Sequence, residues 1–381
     1  MKKRKKAGIL SLCVGTALSL QAPLMSFAAS PEFARSSAEW DRLRDNVLEY
    51  DELSDLIHEY NVTTQTNQYT ADQKGTDVTY DELLGDNLGA AQQMYQAAGN
   101  AMTDWERTTY ELQARQAENQ AMNSILNSSD SDSVKWENLN TEGLLVQEAQ
   151  NTMNSYYQLK QQLIAAEKAK ELLEAQLASV QTRLSLNMAT QAEVLSAQQS
   201  LQNGEAQILS LESQIESARQ KLIVMTGWKQ SDNPEIGAIP DVDFSKITAM
   251  DLTRDLESAL ANDYQLKIDQ RKSTKAPSDD LRNAFGKTVD SDKEQIAVAL
   301  NSAYQAVQQA KTAYDEAVLN LDVAAKKMGT ASSQYGLGSI SLLEYRQADN
   351  AQVSAQTDLE IKKLALSQAI EAYDWIVKGV R

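Results

Sequence analysis

Shifted by 151 residues, this chain falls onto itself. Leu184 lands on Tyr335, Asn187 on Gly338, Thr190 on Ser341, Glu193 on Glu344 and Ala197 on Ala348, and Gly227 comes within one residue of Gly379. A duplication of that length means one structural unit used twice. The unit is helical. Val194, Leu201, Ile208, Ile215 and Leu222 recur every seven residues, with Ala197, Gly204, Leu211, Ala218 and Met225 three residues after each. Upstream, Leu159, Ala166, Leu173 and Val180 form one row and Tyr156, Leu163, Leu177 and Leu184 the next, with Lys170 as the exception. These are coiled-coil seams. The small residues Ala197, Gly204 and Ala218 allow a neighbouring helix close approach.

The stretches between the seams carry the turns. Left-handed backbone costs Gly nothing sterically, and Asn is among the next most tolerant residues, so Gly338 and Asn187 mark where the chain reverses. Thr190 and Ser341 follow, each with a Glu three residues on. Ser/Thr-x-x-Glu is the capping-box pattern, which satisfies two orphaned backbone donors at a helix start. Leu184–Glu193 and Tyr335–Glu344 therefore read as two tight helix-turn-helix tips.

Along the rest of the chain the pattern predicts a short helix over Glu39–Tyr60, a polar loop over Asn61–Tyr80 and a helix over Leu83–Asn127. A break follows at "NSSDSDSVKWENLN" (Asn127–Asn140), and a long helix starts with Asn140 or Thr141 as N-cap. "TGWKQSDNPEIGAIPDVDF" links the halves. The second half then has a helix over Asp251–Lys272, a break over Thr274–Asp292, a helix over Lys293–Ser333, and a last helix to Lys378. The division is an export signal over 1–28, a first hairpin repeat over 29–227, a linker over 228–250 and a second repeat over 251–381. The fold class is all-α, built of duplicated long antiparallel helical hairpins.

Composition narrows function. The chain has 15 Gly, 5 Pro and 6% aromatic residues in 381, which suits long helices with narrow seams rather than an enzyme with a thick core. A net charge of −17 argues against nucleic acid, whose phosphates need a basic face. The N-terminus "MKKRKKAGILSLCVGTALSLQAPLMSFAAS" reads as a secretory signal cleaved after Ala28. The one cysteine, Cys13, leaves with it. Without a thiol, and with His58 as the sole histidine, the mature chain offers no His/Cys metal site. No phosphate-cradling or nucleophile-elbow motif is present. The expectation is therefore no catalysis, no cofactor and no metal.

"YGLGSISLLEYRQA" resembles the helix-turn motif of the outer-membrane efflux protein family, the TolC-like channels, and "LSLNMATQAEVLSAQ" resembles its first copy, with Asn187 in place of the usual Gly. The duplication and the "MTG" at Met225–Gly227 agree. The resemblance implies a homotrimer whose hairpins form a hollow helical cylinder, a passive export duct in the cell envelope. It also implies an adaptor of a transport complex docked on the tips: Leu184, Asn187, Thr190 and Glu193 in one, Tyr335, Gly338, Ile340, Ser341 and Glu344 in the other. Glu344 matches a family position that narrows the pore, where a ring of three carboxylates favours cations; capping alone also accounts for it. The family inserts β-strands at the far end of each repeat to cross the outer membrane. A spanning strand needs about 9–11 alternating residues, and the two polar breaks hold none. The sequence thus argues against insertion by the usual route, and a secreted coiled-coil scaffold is the alternative reading.

Overall fold

The structure, a computed structural model, describes residues 30–73, 80–126, 130–229, 231–276 and 279–381. The expected export signal lies outside them. Twelve α-helices are described: α1 Ser37–Leu43, α2 Leu53–Tyr60, α3 Val62–Gln73, α4 Tyr80–Gly99, α5 Asp104–Leu126, α6 Ser131–Ser185, α7 Gln191–Met225, α8 Phe244–Ala249, α9 Leu252–Asn262, α10 Tyr264–Thr274, α11 Asp279–Gly336 and α12 Leu342–Val377. The strands among the described residues are β1 Val47–Leu48 and β2 Glu235–Ile236, paired in parallel with Val47 opposite Glu235. Apart from this clasp the described residues are all-α.

Four long helices set the shape. At about 1.5 Å per residue, the 55 residues of α6 and 58 of α11 span roughly 80–90 Å. α7 folds back on α6, α12 folds back on α11, and the two hairpins join through α6 against α12. The result is an open row, α7–α6–α12–α11, with α7 and α11 at its edges. All ten heptad residues of α7 are buried or half-buried.

The apolar cores gather at the end remote from the turns, where the short helices wrap the long ones. Trp40, Leu43, Leu48, Leu53, Leu56 and Ile57 pack on Val146, Ala149, Met153 and Leu222. In the second repeat, Leu300, Val307, Leu366, Ile370 and Tyr373 form the counterpart, with linker residues Val242 and Ile247 packed against it. The linker is thus a structural strap. Tyr157 reinforces it, its hydroxyl lying 2.9 Å from the Ile236 carbonyl oxygen and 2.8 Å from that of Gly237.

Several expected breaks are helix. Asn61–Tyr80 holds α3, and the Glu39–Tyr60 helix is divided by β1 into α1 and α2. The Leu83–Asn127 helix is two, α4 and α5, separated at Asn100–Thr103. The Asp251–Lys272 helix is also two, parted at Asp263. α11 begins at Asp279 inside the second expected break, and α6 begins at Ser131 rather than at Thr141. The physical reason at α6 is long-range. Asp130, buried at 1% exposure, caps α6 by accepting the Ser133 amide at 2.9 Å, and it is ion-paired to Arg271 on α10. Arg271 also reaches Asp132 at 3.0 Å. Once capped and pinned, a helix carries exposed Ser and Asp at little cost. Thr141 sits in mid-helix and bonds the Glu137 carbonyl.

The repeats differ in one insertion. Between α3 and α6 stands the α4–α5 helical hairpin, whereas only Lys275–Ser278 separate α10 from α11. No described helix is long and apolar enough to cross a membrane.

Candidate functional site: the helix-turn tips

Both expected turns are present, built alike. Asn187 has φ 57° and Gly338 φ 70°, the left-handed conformation the sequence requires. The Met188 amide reaches back to the Arg183 carbonyl at 2.7 Å, and the Asn187 amide to Leu184 at 2.9 Å. Ser339 to Gln334 at 2.8 Å and Gly338 to Tyr335 at 2.9 Å repeat the arrangement. These paired bonds are the Schellman closure of a helix C-terminus.

The next helix starts with a full capping box in each copy. The Thr190 hydroxyl accepts the Glu193 amide at 3.3 Å, while the Glu193 carboxylate accepts the Thr190 amide at 2.6 Å. Ser341 and Glu344 do the same at 3.3 and 2.8 Å. Backbone donation from the cap residue, then its hydroxyl, holds both carboxyls below the ordinary glutamate range. Arg183 adds to this at Glu193, 3.8 Å away.

Around the closures the tips expose apolar side chains: Leu186 and Met188 on the first, Tyr335, Leu337 and Leu342 on the second. Leu184 and Ile340 are half-buried, and Tyr335 stacks on Tyr345 with ring centroids 4.9 Å apart. Each tip thus combines a backbone fixed by two closing bonds and a cap with apolar side chains exposed around it.

The two tips are not level. Arg346, one turn into α12, pairs at 2.8 Å with Glu171, which lies 14 residues before the end of α6. Lys168–Asp349 at 2.6 Å and Gln368–Asn151 at 2.7 Å keep nearly the same register. The second tip is therefore set back by about ten residues, or about 15 Å at the helical rise. Lys168, Glu171, Arg346 and Asp349 tie the repeats together below the tips. No sequence pattern marked them, because each pair joins positions far apart in the chain.

The other end of each return helix has a matching device. Gly227 and Gly379 have φ 85° and 89°. Asn61 donates to the Met225 carbonyl at 2.8 Å, and Asn262 to that of Val377 at 2.9 Å. His58 lies 2.9 Å from Glu142 across α2 and α6, and that hydrogen bond raises its pKa. Among the described residues no group of three or more His, Cys, Asp or Glu side chains is arranged to hold a metal ion.

No protein-family profile matches the chain, and no curated protein matches it. Solved structures do match. The Campylobacter jejuni CmeC outer membrane channel shares 11% identity over 89% of this chain and 87% of its own, at a TM-score of 0.52. A membrane protein from Pseudomonas aeruginosa shares 10% over 84% and 93%, at 0.51. CusC, a protein described for its transmembrane channel formation, shares 12% over 87% and 92%, at 0.51. At these identities the likeness is one of fold: the long-helix architecture of this chain is similar to that of the CmeC channel over most of both chains.

Proposed function

We propose that the protein is a passive subunit of a TolC-like export duct, assembled from three copies and docked through its helix-turn tips to an adaptor of a transport complex. The observation that carries this reading is the open row of four helices. Among the described residues no further long helix flanks its edges: α7 packs on α6, and α11 on α12 and the short α9 and α10, yet α7 exposes Leu195 and Leu209 and α11 exposes Val298, Val318, Leu319 and Val323. An edge that meets its complement head-to-tail generates a ring. Three rows of four helices close a cylinder like that implied by the resemblance in the turns. The proposed site is an export duct of the cell envelope, reached by the N-terminal signal.

Leu186 and Met188, on the prouder tip, make first contact with the adaptor in this reading, and the recessed second tip seats against it afterwards. Glu344 is a cap in the single chain, and a pore constriction only if three copies converge there. Mass photometry of the purified protein tests the assembly. Particles of three copies are expected; a monomer across the micromolar range would contradict it.

One feature favours the second reading, a cell-envelope coiled-coil scaffold without channel activity. The described strands are two residues long, and the place where the resembling family has barrel strands holds a helical hairpin in one repeat and a short link in the other. Conductance steps in planar bilayers would overturn the scaffold reading.

A further inference from the structure

The α4–α5 hairpin serves neither the tips nor the cores. Its helices pack on each other through Ala91, Ala98 and Ala114, each buried at 4% exposure or less, and among the described residues they make no substantial contact with another element. Tyr95 on α4 clamps it by bonding Glu118 on α5 at 3.1 Å. It branches from the chain at the start of α6, roughly 80 Å of helix from the first turn. A self-sufficient hairpin needs no apolar residues at its far end. Yet Met102 is 97% exposed and Trp105 77% exposed, the largest apolar side chains of the tip.

The tip is built, not frayed. Thr103 caps α5, accepting the Glu106 amide at 3.2 Å while the Glu106 carboxylate accepts from the Thr103 amide at 3.1 Å and hydroxyl at 2.9 Å. Met102 thus sits just before the cap, where an apolar residue normally packs on the fourth helical position. That position is Arg107, paired at 3.7 Å with Asp104, so Met102 has no apolar mate there. Leu112, two turns beyond Trp105 on the same face, is also exposed.

We infer that this tip inserts shallowly into an electrically neutral lipid surface, with Met102 and Trp105 as the inserted side chains. A protein partner fits less well. A Trp buries about 150–250 Å², so this patch falls well short of the roughly 800 Å² per partner of a stable interface. Insertion into lipid needs no matching surface, and Trp is the side chain suited to the boundary between headgroup and acyl chain. Asp104 and Glu106 against the single Arg107 leave the tip net negative, which opposes an anionic surface and selects zwitterionic headgroups. The inference goes beyond the duct reading and does not depend on it.

Vesicles of phosphatidylcholine brominated on the acyl chains test it with the full chain. The wild type should lose part of its tryptophan emission, and Trp105→Phe, which keeps the other four tryptophans, should lose that component. Flotation with the double variant M102S/W105S should show binding reduced at least ten-fold, after subtraction of what the N-terminal apolar run contributes in both proteins. Adding phosphatidylglycerol at low salt should weaken the tip's share. Quenching unchanged in Trp105→Phe, flotation unchanged in the double variant, or stronger tip binding on phosphatidylglycerol would each overturn the inference. So would vesicle-independent self-association that the double variant abolishes, which would make the tip a contact between copies. A monomer that still inserts would contradict only the duct reading, and a trimer that does not would contradict only this one.

Discussion

Four helices of this protein end in the same closure, and the four ends divide into two kinds. At the tips, Asn187 and Gly338 take positive φ in open space; a Cβ on Gly338 would meet nothing within 4 Å. At the remote end, Gly227 and Gly379 take the same conformation against backbone. A Cβ there would come within 2.7 Å of the Tyr60 carbonyl oxygen in one case and 2.6 Å of the Asp263 nitrogen in the other. The tips ask only for a conformation, which Asn can adopt, and so the first copy tolerates Asn187. The remote ends ask for the absence of a side chain, and both copies have Gly. One pair of turns is packed against backbone, and the other stands uncovered in the single chain.

The sharpest way to break this comparison is to add one methyl group at each kind of end. Gly227→Ala and Gly379→Ala should each cost about 2–5 kcal/mol, combining left-handed strain with overlap against backbone. Gly338→Ala should cost only the strain, about 1–2 kcal/mol. Urea midpoints at constant m-value read both, and equal losses would erase the distinction. Thr190→Ala and Ser341→Ala come next, at about 1 kcal/mol each. Their loss should appear as faster amide exchange in the first turns of α7 and α12, leaving the remote cores protected. Asn187→Gly should be the smallest of the backbone changes, within a few tenths of a kcal/mol of wild type.

Titration sharpens the comparison further. The native carboxyls of Glu193 and Glu344 lie below their unfolded values, so their contribution is present above the unfolded range and is lost as pH falls through the native one. Acid should therefore fray the tips, seen as broadening of tip amides before any change in the cores. In an assembly, three converging Glu344 carboxylates would repel and raise one another's pKa. A Glu344 value that stays low in the assembled protein would mark a cap, and a raised one a constriction.

Much of this was legible in the sequence, and the limits have physical causes. The tips were readable because each is a local device of ten residues: a φ-permissive residue, a cap and a glutamate three on. The α7 seam was readable because its period is sequential. The start of α6 was not, because Asp130 is held by Arg271, far along the chain, and polarity alone looked like a break. The equivalence of Asn61 and Asn262 was hidden for a related reason. The α4–α5 insertion stretches their spacing well beyond the 151 residues that relate the tips. The hairpin itself read as one helix, because alanine packing leaves no strong amphipathic stripe to show where the chain folds back.

A duct requires the row of helices to close on itself. A photo-crosslinking residue placed at Leu209, on the exposed face of α7, tests that directly. Adducts to α11 of another copy are expected, in a ladder that stops at three. Adducts confined to the same chain, or a ladder that runs on without limit, would contradict it.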